Sequence, residues 1–207
     1  MKRNLCRIGV AATLVMSLLP AAVRAENATY HFRGNTAYAG FETTEGCITA
    51  STEVFVYSFP LHEPPGPAPE ASPTLFVTMW RHDICNHVFL GSLFGEASLP
   101  ADAFSVSGGL QTGSLNATLQ VQDFSTGSTF PVTVDLTWTG VGEVSRDNKN
   151  EHSSFPGMRM MRHERGTSRD AVATGSVLLG TQNLASSPSI YGGVSSSQVG
   201  SVFIQRF

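Results

Sequence analysis

Strict alternation of apolar and polar side chains is the feature that most constrains this chain of 207 residues. Between Phe130 and Thr139 every second residue is apolar, and Leu115–Gln122 repeats the pattern with asparagine, threonine and glutamine in between. Successive side chains of a β-strand point to opposite faces, so each segment buries one face and exposes the other. No segment keeps a helical apolar period for about three turns. The sequence therefore predicts an all-β protein.

Other segments rich in β-branched and aromatic residues are predicted strands, and Gly-rich pairs such as Gly108-Gly109 and Gly192-Gly193 are predicted turns. These strands are Tyr30–Phe41, Cys47–Phe59, Thr74–Asp83, Val88–Ala97, Ala103–Val106, Ala171–Leu179 and Ser201–Phe207. The pattern favours a single-domain antiparallel β-sandwich of about 8–10 strands over residues 26–207. Its predicted core comprises Phe55, Val77, Trp80, Leu119, Val121, Val132, Val134, Leu136 and Trp138.

The N-terminus has the pattern of a secretory signal peptide. Lys2 and Arg3 precede an apolar run from Ile8 to Leu19, and small residues follow up to Ala25. A basic start, an apolar stretch of about a dozen residues and a small-residue cleavage site are typical of such signals. We expect residues 1–25 to be removed and the mature protein to be secreted or periplasmic; an uncleaved N-terminal anchor is the alternative.

The charge of the mature chain limits its partners. The whole chain has 13 Lys and Arg against 16 Asp and Glu, and the predicted signal contains only basic charges. The mature domain is therefore clearly acidic, which argues against nucleic-acid binding, because that rests on neutralising phosphates. We expect an unknown protein or a polyanionic ligand as the partner, with no cofactor and no membrane insertion.

Cys47 and Cys85 are the two cysteines that remain after cleavage, and in an exported protein such a pair predicts a disulfide. The segment between Pro60 and Pro73 is rich in proline, so it is predicted to be a connecting loop between two antiparallel strands. A register centred on this loop places Tyr57 opposite Leu75, Phe55 opposite Val77, and Cys47 opposite Cys85. The bridge would then lock the open end of a hairpin.

Two groups of side chains are candidate metal ligands. Asp83 and His87 share a strand face with Cys85, which makes a conceivable zinc set, although a disulfide sulfur is not a thiolate ligand. Met158, Met160 and His163 combine thioether and imidazole groups, which suit Cu(I). Methionines at alternate positions also simply fill gaps in apolar cores, so both interpretations stay open.

The segment Gly142–Asp170 holds most of the basic residues of the mature chain. Arg159, His163 and Arg165 would share one face if Met158–Arg165 is a strand, and clustered guanidinium groups bind carboxylates, sulfates or phosphates. These three residues are the anion-binding candidate. The alternative is a solvated loop whose charges balance locally with neighbouring acidic residues.

Short segments of the chain resemble those of small secreted bacterial β-proteins of unassigned function. The similar pieces are Phe32-Arg33-Gly34, Gly46-Cys47, Thr52-Glu53-Val54-Phe55-Val56, Thr137-Trp138-Thr139-Gly140 and Gly166-Thr167-Ser168-Arg169-Asp170-Ala171. The resemblance implies export and a single domain, and it implies no activity.

No nucleophile elbow, zinc-protease helix or phosphate-binding loop occurs in the sequence. The first hypothesis is therefore an exported non-catalytic β-sandwich that serves as a binding or structural module. The second is a secreted enzyme or a copper- or zinc-binding protein whose catalytic residues are unknown. The third is a small outer-membrane β-barrel, suggested by the apolar positions Phe203 and Phe207 in the terminal segment.

Overall fold

The computed structural model describes residues 28–59, 61–62, 72–156 and 158–206. The predicted signal peptide and most of the proline-rich segment lie outside these residues. The strands are β1 (Ala28–Glu45), β2 (Ile48–Ser58), β3 (Leu61–His62), β4 (Thr74–Asp83), β5 (Val88–Ser98), β6 (Phe104–Val106), β7 (Thr112–Asp123), β8 (Thr129–Phe155), β9 (Met158–Leu179), β10 (Gln182–Asn183) and β11 (Tyr191–Arg206). A short 3-10 turn covers Ala101–Ala103. In this part of the chain no helix is long and apolar enough to span a membrane.

The eight long strands pair antiparallel with their sequence neighbours, in the order β1–β2–β4–β5–β7–β8–β9–β11. The last strand pairs with the first, for example Gly192 with Ala39, so the sheet closes on itself. The prediction of an antiparallel all-β, sandwich-like fold is confirmed.

The apolar core fills the interior of the closed sheet, where the inward side chains of its strands form one cluster. Along β7 and β8 the side chains alternate between buried and exposed, as the sequence pattern predicts. Trp138 is fully buried, and its indole Nε1 donates a 2.8 Å hydrogen bond to the carbonyl oxygen of Tyr38 on β1, across the interior. The predicted core residues that are buried are Val77, Leu119, Val121, Val132, Val134, Leu136 and Trp138.

The predicted pairing of β2 with β4 is wrong by one residue. Phe55 pairs with Phe76, and Val77 pairs with Val54. A shift of one residue exchanges the two faces of a strand. Phe55 therefore faces outward with 36% of its surface exposed, and Trp80 on β4 is half-buried at an outward position. Both were predicted to be core residues, and neither belongs to the core of the structure.

The segments 142–155 and 158–170 are strand rather than a solvated loop. β8 and β9 remain paired as far as Phe155 and Met158, and only a bulge between Val141 and Ser145 interrupts the ladder. The predicted strand Met158–Arg165 is confirmed as part of β9. We call the paired segments Ser145–Phe155 and Met158–Ser168 the flap, because they extend the sheet beyond its main core.

A second, smaller apolar cluster lies on the flap and the adjoining parts of β1 and β11. It consists of buried Phe32, Val202 and Ile204, against which Tyr30, Phe59, Met158 and Met160 pack. These buried side chains lie on the flap face that continues the outside of the closed sheet. The opposite face continues the inward-facing side, so the flap has an outer face and an inner face.

Candidate binding surfaces

The disulfide joins the turns at one end of the β2–β4 pair. Cys47 and Cys85 have Cα atoms 5.4 Å apart, just beyond the last ladder pair, Ile48 with Asp83. The Asp83 carboxylate accepts hydrogen bonds from the Asn86 side chain at 2.8 Å and from the backbone N–H groups of Cys85 and Asn86 at 3.0 Å. These bonds, the Asn86 side chain first, lower the pKa of Asp83. A disulfide of this kind points to a location outside the reducing cytosol.

The proposed zinc ligands near the disulfide do not form a thiolate site. Cys47, Asp83 and Cys85 bring their ligand atoms within 4.8 Å of one another. The two sulfur atoms are bonded to each other, so neither is a thiolate. His87 lies in the turn, in the left-handed backbone region, and is not part of this group.

The proposed copper ligands lie on opposite faces of β9. Met158 and Met160 pack into the second apolar cluster on the outer face of the flap. His163 alternates onto the inner face, where its Nδ1 is hydrogen-bonded to Asn150 Oδ1 on β8. The structure therefore brings the two methionines together but separates them from the histidine.

The acidic residues of the flap are all on its outer face. Asp147, Glu151 and Glu164 pair with Gly166, Arg162 and Lys149 in the β8–β9 ladder, which places these six residues on one side of the hairpin. Lys149 Nζ lies 2.7 Å from Glu151, and Arg162 lies 2.5 Å from Glu164. The hydrogen bond from Lys149, followed by the charges of Lys149 and Arg162, lowers the pKa of Glu151. Lys149 and Arg162 therefore offset the charges of Glu151 and Glu164 on the outer face.

Arg162 also contributes to the apolar side of this face. Its guanidinium carbon lies 5.5 Å from the centre of the Phe32 ring, a cation–π distance. The contact and the ion pairs leave its side chain only 17% exposed. Arg162 is thus part of the flap's packing.

The inner face of the flap has the opposite composition. Arg159, His163 and Arg165 lie there together, as the sequence predicts for alternate positions of one strand. Arg146 and His152 on β8 share this face, and both are exposed. His31 on β1 pairs with Ser201, which pairs with His163, so a further imidazole extends the same surface. No acidic residue of the flap lies on this inner face.

A row of aromatic rings crosses the outer face of the sheet, and the sequence analysis missed it. The rings of Phe76 and Phe94 are 6.2 Å apart, and the row continues to Phe124 at 6.4 Å and to Tyr57 at 6.0 Å. Tyr57 in turn stacks on Phe59, which contacts Phe32. Only the correct register of β2 and β4 reveals that these residues share a face.

A shallow depression of about 310 Å³ lies at one end of the closed sheet. Arg81 and Asp123 are its charged lining residues. The Asp123 carboxylate accepts hydrogen bonds from Ser125 Oγ at 2.6 Å and Ser125 N at 2.8 Å, which together lower its pKa. The carboxylate therefore holds the Asp123–Ser128 turn, and no histidine lines the depression.

No protein-family model matches this chain, and it matches neither a curated protein nor a solved structure.

Proposed function

We propose that the protein is an exported, non-catalytic binding module that holds an extended polyanion on the inner face of its flap. The observation that carries the proposal is the separation of charge across the flap. Three arginines and two histidines lie on the inner face, while all the acidic residues lie on the outer face. A solvated loop would have allowed these charges to neutralise one another, whereas the paired strands hold them apart.

The shape of the basic surface suits an elongated ligand. Arg159 and Arg165 are six positions apart on one strand, which corresponds to roughly 20 Å at about 3.3 Å per residue. Both side chains are exposed, and Arg146 on β8 extends the row beyond Arg165, because it pairs with Thr167. Guanidinium groups form paired hydrogen bonds with sulfates and carboxylates. A sulfated or carboxylated polysaccharide would contact several arginines at once.

The alternation of the main strands supports this proposal over a small outer-membrane β-barrel. Membrane barrels carry an apolar band outside and a polar interior. Here the interior is apolar, and the outward positions of two neighbouring strands are exposed polar residues. They are Asn116, Thr118 and Gln120 on β7 and Thr133, Asp135 and Thr137 on β8.

The proposal is tested by binding of the mature protein to immobilised dextran sulfate, with uncharged dextran as the reference. We expect binding to the sulfated polymer that weakens steeply with added salt, because exposed charges are screened. The double variant Arg159→Gln/Arg165→Gln should reduce affinity on the order of tenfold, since exposed charge contacts contribute up to about 1 kcal/mol each.

Lys149→Gln is the matched control, because Lys149 is an exposed cation on the opposite face of the same hairpin. It should leave binding nearly unchanged. An equal loss in the Lys149 variant, or equal binding to uncharged dextran, would overturn the proposal.

A further inference from the structure

Two tyrosine rings lie flat on the outer face of the sheet where β1 meets β11. A Cβ atom added to Gly193 would lie within 2.9 Å of two ring carbons and the hydroxyl oxygen of Tyr38, and a Cβ added to Gly40 would overlap the ring of Tyr191. Each ring therefore occupies the space above a glycine of the neighbouring strand. Tyr38 and Tyr191 are each 43% exposed, so each shows one ring face to solvent. We call this pair of rings the tyrosine platform.

Carboxylates surround the platform. The Tyr191 hydroxyl donates a hydrogen bond to Glu53 Oε1 on β2. Asp170 on β9 pairs with Gly193, which lies under the Tyr38 ring, and Glu42 follows Gly40 at the next outward position of β1. Both Asp170 and Glu42 are exposed.

No lysine or arginine occupies a described outward position of β1 or β2, or of β11 between residues 191 and 196. The nearest outward cation on β9, Arg162, is paired with Glu164 and lies over Phe32. The platform thus combines exposed ring faces with uncompensated negative charge. Aromatic faces and carboxylates both attract cations, and neither attracts an anionic ligand.

We propose that the tyrosine platform binds the arginine or lysine side chains of an extended basic polypeptide. Charge complementarity selects this partner over a neutral glycan, because the three carboxylates add Coulombic attraction only for a cationic ligand. The platform is open, and one cation over an exposed ring gains only about 0.5–1 kcal/mol. Several cations on one chain add such gains within a single binding event. This site is separate from the inner face of the flap.

The test measures fluorescence anisotropy of a labelled oligo-arginine peptide against the mature protein at low salt. We expect saturable binding, weakened on the order of tenfold by Tyr38→Ser/Tyr191→Ser, from the loss of two cation–π contacts. Tyr38→Phe/Tyr191→Phe keeps both rings and should bind within about twofold of the wild type. This pair of variants separates the rings from the hydroxyl groups.

The double variant Glu53→Gln/Asp170→Asn keeps both rings. It therefore tests the contribution of the carboxylates even if the serine variant does not fold. It should weaken peptide binding several-fold, while Asp135→Asn, an exposed carboxylate on the outward face of β8, should not. The proposal is overturned if the wild type does not bind the peptide. It is equally overturned if Asp135→Asn weakens binding as much as Glu53→Gln/Asp170→Asn does, or if a neutral oligosaccharide binds the platform instead. Dextran sulfate binding by the flap would be unaffected by any of these results.

Discussion

At the scale of single residues, the buried polar side chains of the described residues are Thr52 on β2 and Asp123 at the end of β7. Thr52 lies in the otherwise apolar interior. It is fully buried, and its Oγ1 has no hydrogen-bond partner among the described residues. A buried hydroxyl without a partner costs free energy, because it loses its hydrogen bonds to water.

Thr52→Val should therefore stabilise the protein by about 1 kcal/mol, since valine has nearly the same shape and no polar atom. Urea unfolding followed by circular dichroism measures the change. Thr78→Val, at a half-buried outward position of β4, is the control and should change stability little. A destabilised Thr52 variant would show that the hydroxyl has a partner after all.

Asp123 gives the turn after β7 a pH-dependent contribution to stability. Its folded pKa is lowered, with the Ser125 hydroxyl as the largest cause, so the ionised form is favoured by folding. This stabilisation is present above the unfolded pKa of about 3.9 and is lost as the pH falls through the lower folded pKa.

We expect Asp123→Asn to lower the melting temperature at neutral pH, and the gap to the wild type to close as the pH drops below about 4. Ser125→Ala removes the hydroxyl that donates to this carboxylate, so it should also lower the melting temperature at neutral pH, by a difference that closes on acidification. Melting curves collected across this pH range provide the measurement. A gap that stays constant with pH would contradict the assignment.

At the scale of the elements, the alternation in the sequence predicted most strands, and β4 has the predicted bounds Thr74–Asp83. The predicted register of β2 with β4 is wrong because it assumes that Cys47 and Cys85 face each other within the ladder. They lie beyond it in the turns, where Asp83 holds the backbone. A disulfide constrains distance, and turn residues meet that constraint without setting the register.

The first strand of the flap and the tyrosine platform were missed for different physical reasons. In the flap both faces are largely polar, so no alternation marks Ser145–Phe155 as a strand. Gly192-Gly193 was predicted as a turn, whereas it lies within β11, because the Tyr38 ring covers Gly193 and replaces the missing side chain. The shared face of Arg159, His163 and Arg165 was predicted, because strand alternation alone determines it.

The corrected register makes neighbouring positions of β2 differ in their sensitivity to the same substitution. Val54→Thr should destabilise the protein by about 1–3 kcal/mol, because it buries a hydroxyl in the core. Phe55→Thr, on the outward face, should cost less than Val54→Thr. Urea denaturation of both variants decides between the registers, and the reverse order of stabilities would restore the register predicted from the sequence.

At the scale of the whole molecule, one closed sheet carries two surfaces of opposite charge. β1 and β11 close the sheet, so the strands nearest the two ends of the described chain belong to the same core as β7 and β8. The flap extends from this closed sheet, and its apolar packing comes from the second, smaller cluster. Its amides should therefore exchange with solvent through local opening, before the main core unfolds.

Hydrogen–deuterium exchange with and without dextran sulfate tests most directly whether the flap binds polyanions, because it shows which strands the ligand protects. The account predicts that the polymer slows exchange in Ser145–Phe155 and Met158–Ser168, where free protein exchanges fastest among the long strands. Exchange in β2, β4 and β7, which lie outside the flap, should stay unchanged. Protection confined to other strands, or no protection anywhere at saturating polymer, would contradict the flap as a polyanion-binding surface.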